Sequence, residues 1–120
     1  MDVVTEHRPG YLYICISGDG SANMSPEGHP ASVARVCRDE RYRRLLVDIR
    51  QRTDKPGTME CFDSGQEIVK AFAYSGIHIA IVGVAEWSEL LAFLEDVATN
   101  RGVTLRVFTD VNQARQWLIE

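Results

Sequence analysis

The chain has 120 residues, of which 45% are hydrophobic and 25% charged, and its formal net charge is −4. This length suits one domain that buries roughly two-thirds of the surface its unfolded form exposes, without a metal or disulfide staple. The composition excludes a disordered or fibrous protein. No apolar run approaches the roughly 20 residues that cross a bilayer, and residues 1–10 do not resemble a signal peptide, so we expect a cytoplasmic location.

The cysteines and histidines are spread along the chain without ligand spacing. Cys15, Cys37 and Cys61 are odd in number and contain no close pair, which argues against a disulfide framework and a zinc site. Cys15 and Cys37 are interpreted as small buried residues. None of the three histidines has a Cys, Asp or Glu at a helical ligand spacing, so no metal or cofactor is expected.

The chain begins with a predicted hairpin. Val3 to Thr5 and Tyr11 to Ser17 are rich in β-branched and aromatic residues, and the intervening Pro9-Gly10 favours a turn. Gly18 to Pro30 then has the composition of a loop, with a candidate short turn at Ser25-Pro26.

The next segments alternate between helical and strand patterns. Pro30 suits the first turn of a helix that ends near Asp39, and the nearly continuous apolar run from Leu45 to Ile49 predicts a central strand covered on both faces. A second helix is predicted from Thr58, as N-cap, to Tyr74. Gly65 would weaken this helix by about 1 kcal/mol relative to alanine, so a later start at Asp63 is the alternative to the preferred start at Thr58.

The last third repeats the alternation. Ile77 to Val82 predicts a buried strand, and Glu86 to Asn100 is the clearest amphipathic helix. Thr104 to Thr109 alternates as a strand, with Arg106 pointing to solvent. Asp110, three residues before Gln113, resembles a capping box that opens a final helix.

This order predicts the fold class. We expect one layered α/β domain over residues 1–120, with an N-terminal hairpin followed by alternating helices and strands. Right-handed crossovers then give a mixed, mostly parallel sheet of about five strands with about four helices.

Catalytic motifs are incomplete. Gly18-Asp19-Gly20 follows a strand, but no third glycine completes a dinucleotide-binding turn. Ser64 and Cys61 have no neighbouring histidine and no nucleophile elbow. Glu95 and Asp96 point in different directions on a helix and are interpreted as solvated. These observations favour a binding module over an enzyme.

A basic loop is the best candidate site. Eight of the 13 Lys and Arg residues lie between Arg35 and Lys55. Arg50, Arg52 and Lys55 lead from the central strand to a helix that starts at Thr58, and ligands of parallel sheets bind at the carboxyl ends of strands. The segment therefore predicts a site for a phosphate or carboxylate, although a plain solvated loop fits it as well.

Three segments carry a family resemblance. RYRRLLVDIR, IHIAIVG and NRGVTLRVFTDVNQARQWL together resemble the SpoIIAA-like family, whose fold is that of STAS domains. The most specific element is the RVFTD strand end followed by Ala114 and Trp117-Leu118. The resemblance runs from about Tyr11 onward and implies a non-enzymatic regulatory domain.

The resemblance also implies a phosphorylation switch. STAS domains of the anti-sigma-factor-antagonist type bind a partner kinase and are phosphorylated on a hydroxyl in a D-S-[ST]-G setting at a helix start. By motif the counterpart is Ser64 in Asp63-Ser64-Gly65, which lacks the second hydroxyl residue. By position it is Thr58.

Two kinds of partner follow from these observations. The first hypothesis is a protein partner that binds the surface around Arg50 to Ser64. The second is a small anionic or lipid-like ligand, since the SpoIIAA-like group is also likened to lipid-binding CRAL-TRIO domains. No nucleic-acid partner is expected, and an exposed edge strand would favour a homodimer.

Overall fold

A computed structural model describes residues 2–18 and 29–119. The predicted hairpin is confirmed, with β1 at Asp2–Arg8 and β2 at Tyr11–Ser17. Gly10 in the connecting turn has φ of +85°, a left-handed conformation that glycine adopts without strain. The predicted turn at Ser25-Pro26, like Asp19-Gly20, lies outside the described residues.

Helices and strands alternate after the hairpin, as the periodicity predicts. The elements are α1 Pro30–Asp39, β3 Arg44–Asp48, α2 Thr58–Phe72, β4 His78–Val82, α3 Ser88–Thr99, β5 Thr104–Phe108 and α4 Val111–Ile119. A 3-10 turn at Ala85–Trp87 precedes α3, so the first residues of the predicted third helix are 3-10 and not α-helical. The fold class predicted from the sequence is confirmed.

The five strands form one mixed sheet in the order β1-β2-β3-β4-β5. β1 pairs with β2 antiparallel, and the other neighbouring strands are parallel. The carboxyl ends of β2 to β5 therefore lie at the same edge of the sheet, where the loops to the following helices begin.

The helices cover the two faces of the sheet unequally. One core lies under α1, α2 and α3 and includes Leu12, Ile79 and Leu91. The second core is smaller and packs Leu118 of α4 against Leu46 of β3. Asp110 caps α4, since its Oδ1 accepts hydrogen bonds from the backbone N–H groups of residues 112 and 113 at 2.7 and 3.3 Å.

Several local predictions are wrong. Gly57, not Thr58, is the N-cap of α2, and Thr58 is the first helical residue. Cys15 is only half-buried, and it belongs to neither of the two cores. Glu95 is not simply solvated, since its Oε1 accepts a hydrogen bond from the backbone N–H of Val107 at 2.8 Å.

Packing between two helices explains why position 65 is a glycine, and helical periodicity does not reveal this. A Cβ at this position would lie 3.0 Å from Val97 Cγ1 and 3.2 Å from Leu94 Cδ1. The glycine therefore lets α2 approach α3 closely, and this contact offsets its low helix propensity.

Candidate functional site

The loop between β3 and α2 runs along the carboxyl edge of the sheet. Gly18, at the end of β2, exchanges hydrogen bonds with this loop: its N–H donates to the carbonyl of Gln51 at 3.2 Å, and its carbonyl accepts from the N–H of Thr53 at 3.0 Å. This short parallel bridge fixes Arg52 opposite Gly18. The predicted site residues thus lie on a segment that is held to the sheet.

Asp48 is a buried carboxylate at the end of β3, only 2% exposed. Arg50 donates three hydrogen bonds to it, from the backbone N–H at 3.0 Å, from Nε at 2.9 Å and from Nη2 at 2.7 Å. Tyr13 on β2 donates a fourth from its hydroxyl at 2.8 Å. The guanidinium of Arg50 is therefore already paired with a carboxylate of the same chain.

Hydrogen bonding decides the protonation of this cluster. Burial by itself would raise the pKa of Asp48, but the hydrogen bonds from Arg50 and Tyr13 outweigh it and hold the pKa below its usual value. Burial, reinforced by the bond to Asp48, raises the pKa of Tyr13. At neutral pH the cluster holds a carboxylate, a guanidinium and a neutral phenol.

The lowered pKa of Asp48 makes part of the stability depend on pH. This part is complete above the unfolded-state pKa, which is about 4, and is lost as the pH falls towards the lower folded-state pKa. We expect the stability difference between the parent and Asp48→Asn to narrow below about pH 4, as measured by urea unfolding between pH 3 and pH 7. A constant difference over that range would contradict the assignment.

Arg52 is also paired, and it is more deeply buried than Arg50. Its side chain is 7% exposed, with Nη1 donating to Glu60 Oε2 at 2.6 Å and Nη2 donating to Asp54 Oδ1 at 3.3 Å. Burial would lower the pKa of Arg52, but the two carboxylates raise it. The Nε–H is buried and has no hydrogen-bond partner among the described residues.

Lys55, in the loop before α2, and Thr58, the first residue of α2, are both exposed. Glu60 at the third helical position accepts a hydrogen bond from the N–H of Gly57 at 3.4 Å. The structure does not bring the four predicted site residues together: Arg50 is paired with Asp48 and Arg52 with Glu60, whereas Lys55 and Thr58 line a separate cleft. Anion binding by these four residues stays a prediction.

Ser64 lies in the second turn of α2, half-buried. It lines a cavity of about 290 Å³ between the sheet and the helices, together with Cys61 and Arg52. Burial raises the pKa of the Cys61 thiol. The body of the cavity is aliphatic and includes Ile16, Val33, Val47, Ile68, Ile81 and Leu91.

Exposed apolar side chains surround the start of α2 on its outer side. Met59 is 69% exposed and Phe93 on α3 is 37% exposed. The ring of Phe93 stacks on Phe62 with centroids 6.5 Å apart. We call Met59, Phe62, Leu90 and Phe93 the α2–α3 patch. Thr58 lines the cleft beside it, together with Leu90 and Phe93.

Sequence reasoning missed the roles of Asp48 and the cavity. Asp48 did carry a signal, since an acid within an apolar central strand needs a partner, and Arg50 follows on the same side of the strand. The cavity carried none, because its lining comes from helices and strands far apart in sequence. In residues 2–18 and 29–119 no group of three His, Cys, Asp or Glu side chains could hold a metal ion.

The sheet order, the leading hairpin and the distribution of helices are those of a STAS-type fold, as the resemblance predicted. A solved structure with this fold is that of an anti-sigma factor antagonist from Mycobacterium paratuberculosis. Its TM-score is 0.68 at 11% identity, and the match covers 99% of this chain and 94% of that chain. At this identity the likeness establishes the fold.

No protein-family model and no curated protein sequence matches the chain. Within the described part of the chain, no helix has the length and apolar character needed to span a bilayer.

Proposed function

We propose that the chain is a non-enzymatic regulatory module that binds a protein partner through the α2–α3 patch and is switched by phosphorylation of Thr58. The observation that carries the proposal is the exposure of Met59 and Phe93 beside a hydroxyl at a helix start. Clustered exposed apolar side chains are typical of interaction surfaces. The name of the structural neighbour, an anti-sigma factor antagonist, supports a regulatory role.

Thr58 is a better phosphorylation site than Ser64 on grounds of access. Thr58 is exposed as the first residue of α2, whereas Ser64 is half-buried and lines the cavity. A phosphate at a helix N-terminus is favoured by the helix dipole, and Lys55 lies in the same cleft. The glycine of Asp63-Ser64-Gly65 is accounted for by helix packing, which weakens the motif argument for Ser64.

Phosphorylation of Thr58 would weaken partner binding. Glu86 and Glu89 line the same cleft, so a phosphate would add charge of the same sign beside an apolar contact surface. A partner that buries the patch would have to desolvate this charge.

The first test compares the proteins retained by tagged variants expressed in the native cells. We expect wild type and Thr58→Val to retain the same partner. Thr58→Asp and Met59→Asp should each reduce recovery of this partner about tenfold or more, as measured by quantitative mass spectrometry. Val4→Asp is the control, because Val4 on β1 is also an exposed apolar residue, 53% exposed, and lies outside the α2–α3 patch. Equal recovery by all variants would contradict the proposal.

The modification itself can be located directly. Thr58 and Ser64 fall on one tryptic peptide, residues 53–70, since Lys55 precedes a proline and resists cleavage. Fragment ions of this peptide from native cells should place a phosphate on Thr58. A phosphate on Ser64 instead would contradict the assignment of the switch to Thr58.

The alternative function, binding of a small anionic or lipid-like ligand, is supported by the cavity beside Arg52. Of these two ligands the anion is less favoured, because Arg50 and Arg52 already bind carboxylates. The cytoplasmic location and a homodimer stay predictions.

A further inference from the structure

The two edges of the sheet differ in whether their backbone groups are blocked. At the β5 edge, Glu95 of α3 accepts the backbone N–H of Val107 at 2.8 Å and so occupies a donor that an added strand would need. At the β1 edge, within residues 2–18 and 29–119, the backbones of Val3, Thr5 and His7 make no hydrogen bond to a side chain or a loop. β1 is therefore the open edge, and open edges are templates for a further strand.

The neighbouring strand shows which backbone groups of β1 point outward. Gly18, at the end of β2, directs both its N–H and its carbonyl to the loop after β3. Because these groups alternate in direction along a strand, the odd-numbered residues of β2 bond β1. The even-numbered residues of β1 are their partners in the register. Val3, Thr5 and His7 therefore direct their N–H and carbonyl groups away from the sheet.

The outward groups of β1 are symmetric about Thr5. If a second copy of β1 lies antiparallel with the two Thr5 residues opposite each other, Val3 of each copy lies opposite His7 of the other. Every such pair then exchanges both of its backbone hydrogen bonds. Centring the pairing on Val4 would leave His7 opposite no residue of β1, and centring it on Glu6 would place two carboxylates opposite each other, which is destabilising.

The side chains of β1 are compatible with the register centred on Thr5. Two threonines directly opposite each other form a favourable cross-strand pair. Val4, which is 53% exposed, would lie opposite Glu6 of the second copy. The charge of Glu6 is already balanced within its own chain, since Arg8 Nη2 lies 2.9 Å from Glu6 Oε2. This register therefore brings no like charges opposite each other.

We propose that two copies of the chain associate through β1, antiparallel and centred on Thr5, so that their two five-stranded sheets become continuous. The occupant of the edge is a second copy because the outward groups, the threonine pair and the charges of β1 match β1 itself about one two-fold axis, as an isologous dimer requires. The β1 edge shares no residue with the α2–α3 patch, so this interface and the proposed function are tested separately.

The first test is sedimentation equilibrium of the purified full chain from about 1 μM to about 1 mM, where we expect reversible monomer–dimer association. Thr5→Pro removes the central outward N–H without breaking the pairing with β2, and proline is tolerated in edge strands. We expect it to weaken the dimer at least about tenfold. Thr5→Val is the matched control, because it keeps the N–H, and its dissociation constant should lie within about threefold of the parent value.

The second test locates the register by cysteine cross-linking in a Cys15→Ser background. The central Cα atoms of the paired strands would lie about 5.5 Å apart, within the range of a disulfide. We expect oxidised glutathione to link Thr5→Cys at least about tenfold faster than Val4→Cys or Glu6→Cys, which lie on diagonals. Thr104→Cys is the control, because Thr104 is an exposed residue of the blocked β5 edge.

A chain that sediments as a monomer over the whole concentration range would overturn the dimer, as would unchanged association of a folded Thr5→Pro. Faster cross-linking of Val4→Cys or Glu6→Cys than of Thr5→Cys would overturn the register. If Thr5→Pro does not fold, the cross-linking decides: a rate for Thr5→Cys no higher than that for Thr104→Cys would overturn the β1 interface.

Discussion

Replacement of Arg50 by methionine is expected to lower the free energy of unfolding at pH 7 by about 2–3 kcal/mol. The change leaves the carboxylate of Asp48, which is 2% exposed, with Tyr13 as its remaining side-chain donor. Loss of one partner from a buried ion pair costs about 3–5 kcal/mol, and we expect a loss at or just below the bottom of this range because the Arg50 side chain is 35% exposed. Urea unfolding of the parent and of Arg50→Met measures this loss of stability.

Arg52→Met is the matched control for this prediction. Arg52 is the more buried arginine, but its partners Asp54 and Glu60 are 38% and 40% exposed and can be hydrated when the guanidinium is removed. We expect a loss of no more than about 1 kcal/mol. In the double variant Asp48→Asn with Arg50→Met, part of the lost stability should return, because no charge is left buried. A larger loss for Arg52→Met than for Arg50→Met would contradict this account.

Leu118→Ala is expected to cost about 3 kcal/mol of unfolding free energy, within the range of 2–5 kcal/mol for buried leucines. Leu118 is 1% exposed and joins α4 to Leu46, Ala80 and Val82 of the sheet. This core is the smaller of the two, so few neighbouring side chains are able to move into the space left by the leucine.

Its control is the next residue, Ile119, which is 53% exposed at the end of the same helix. Ile119→Ala should change the unfolding free energy by less than about 0.5 kcal/mol. Thermal and urea unfolding of both variants measure the difference, and similar losses for the two would show that α4 is not anchored through Leu118.

The order of the elements could be predicted from the sequence because each depends on a local pattern. The alternating run Tyr11 to Ser17, the helical spacing after Pro30 and the cap at Asp110 all predicted elements that the structure contains. The start of the third helix differs from the prediction, because a 3-10 turn at Ala85–Trp87 replaces the expected first residues. Hydrogen bonds at helix ends depend on neighbouring loops, which periodicity does not describe.

The sequence predicted where the loop of the candidate site lies, but not how the charged side chains of that loop are paired. The loop after β3 does lie at the carboxyl edge of the sheet, as expected for a parallel arrangement. The basic residues of that loop suggested an anion, but charge counting along the chain could not reveal that Arg50 folds back on Asp48. Nor could it show that Glu60, eight residues away, reaches Arg52.

The sequence by itself determined that this is an α/β chain with a leading hairpin and a mixed, mostly parallel sheet, since period and turn chemistry are local properties. Only the tertiary structure decided which charges are already paired, that Ser64 faces a cavity and that Thr58 is exposed beside an apolar patch. These properties depend on which residues, distant in sequence, become neighbours when the helices pack on the two faces of the sheet.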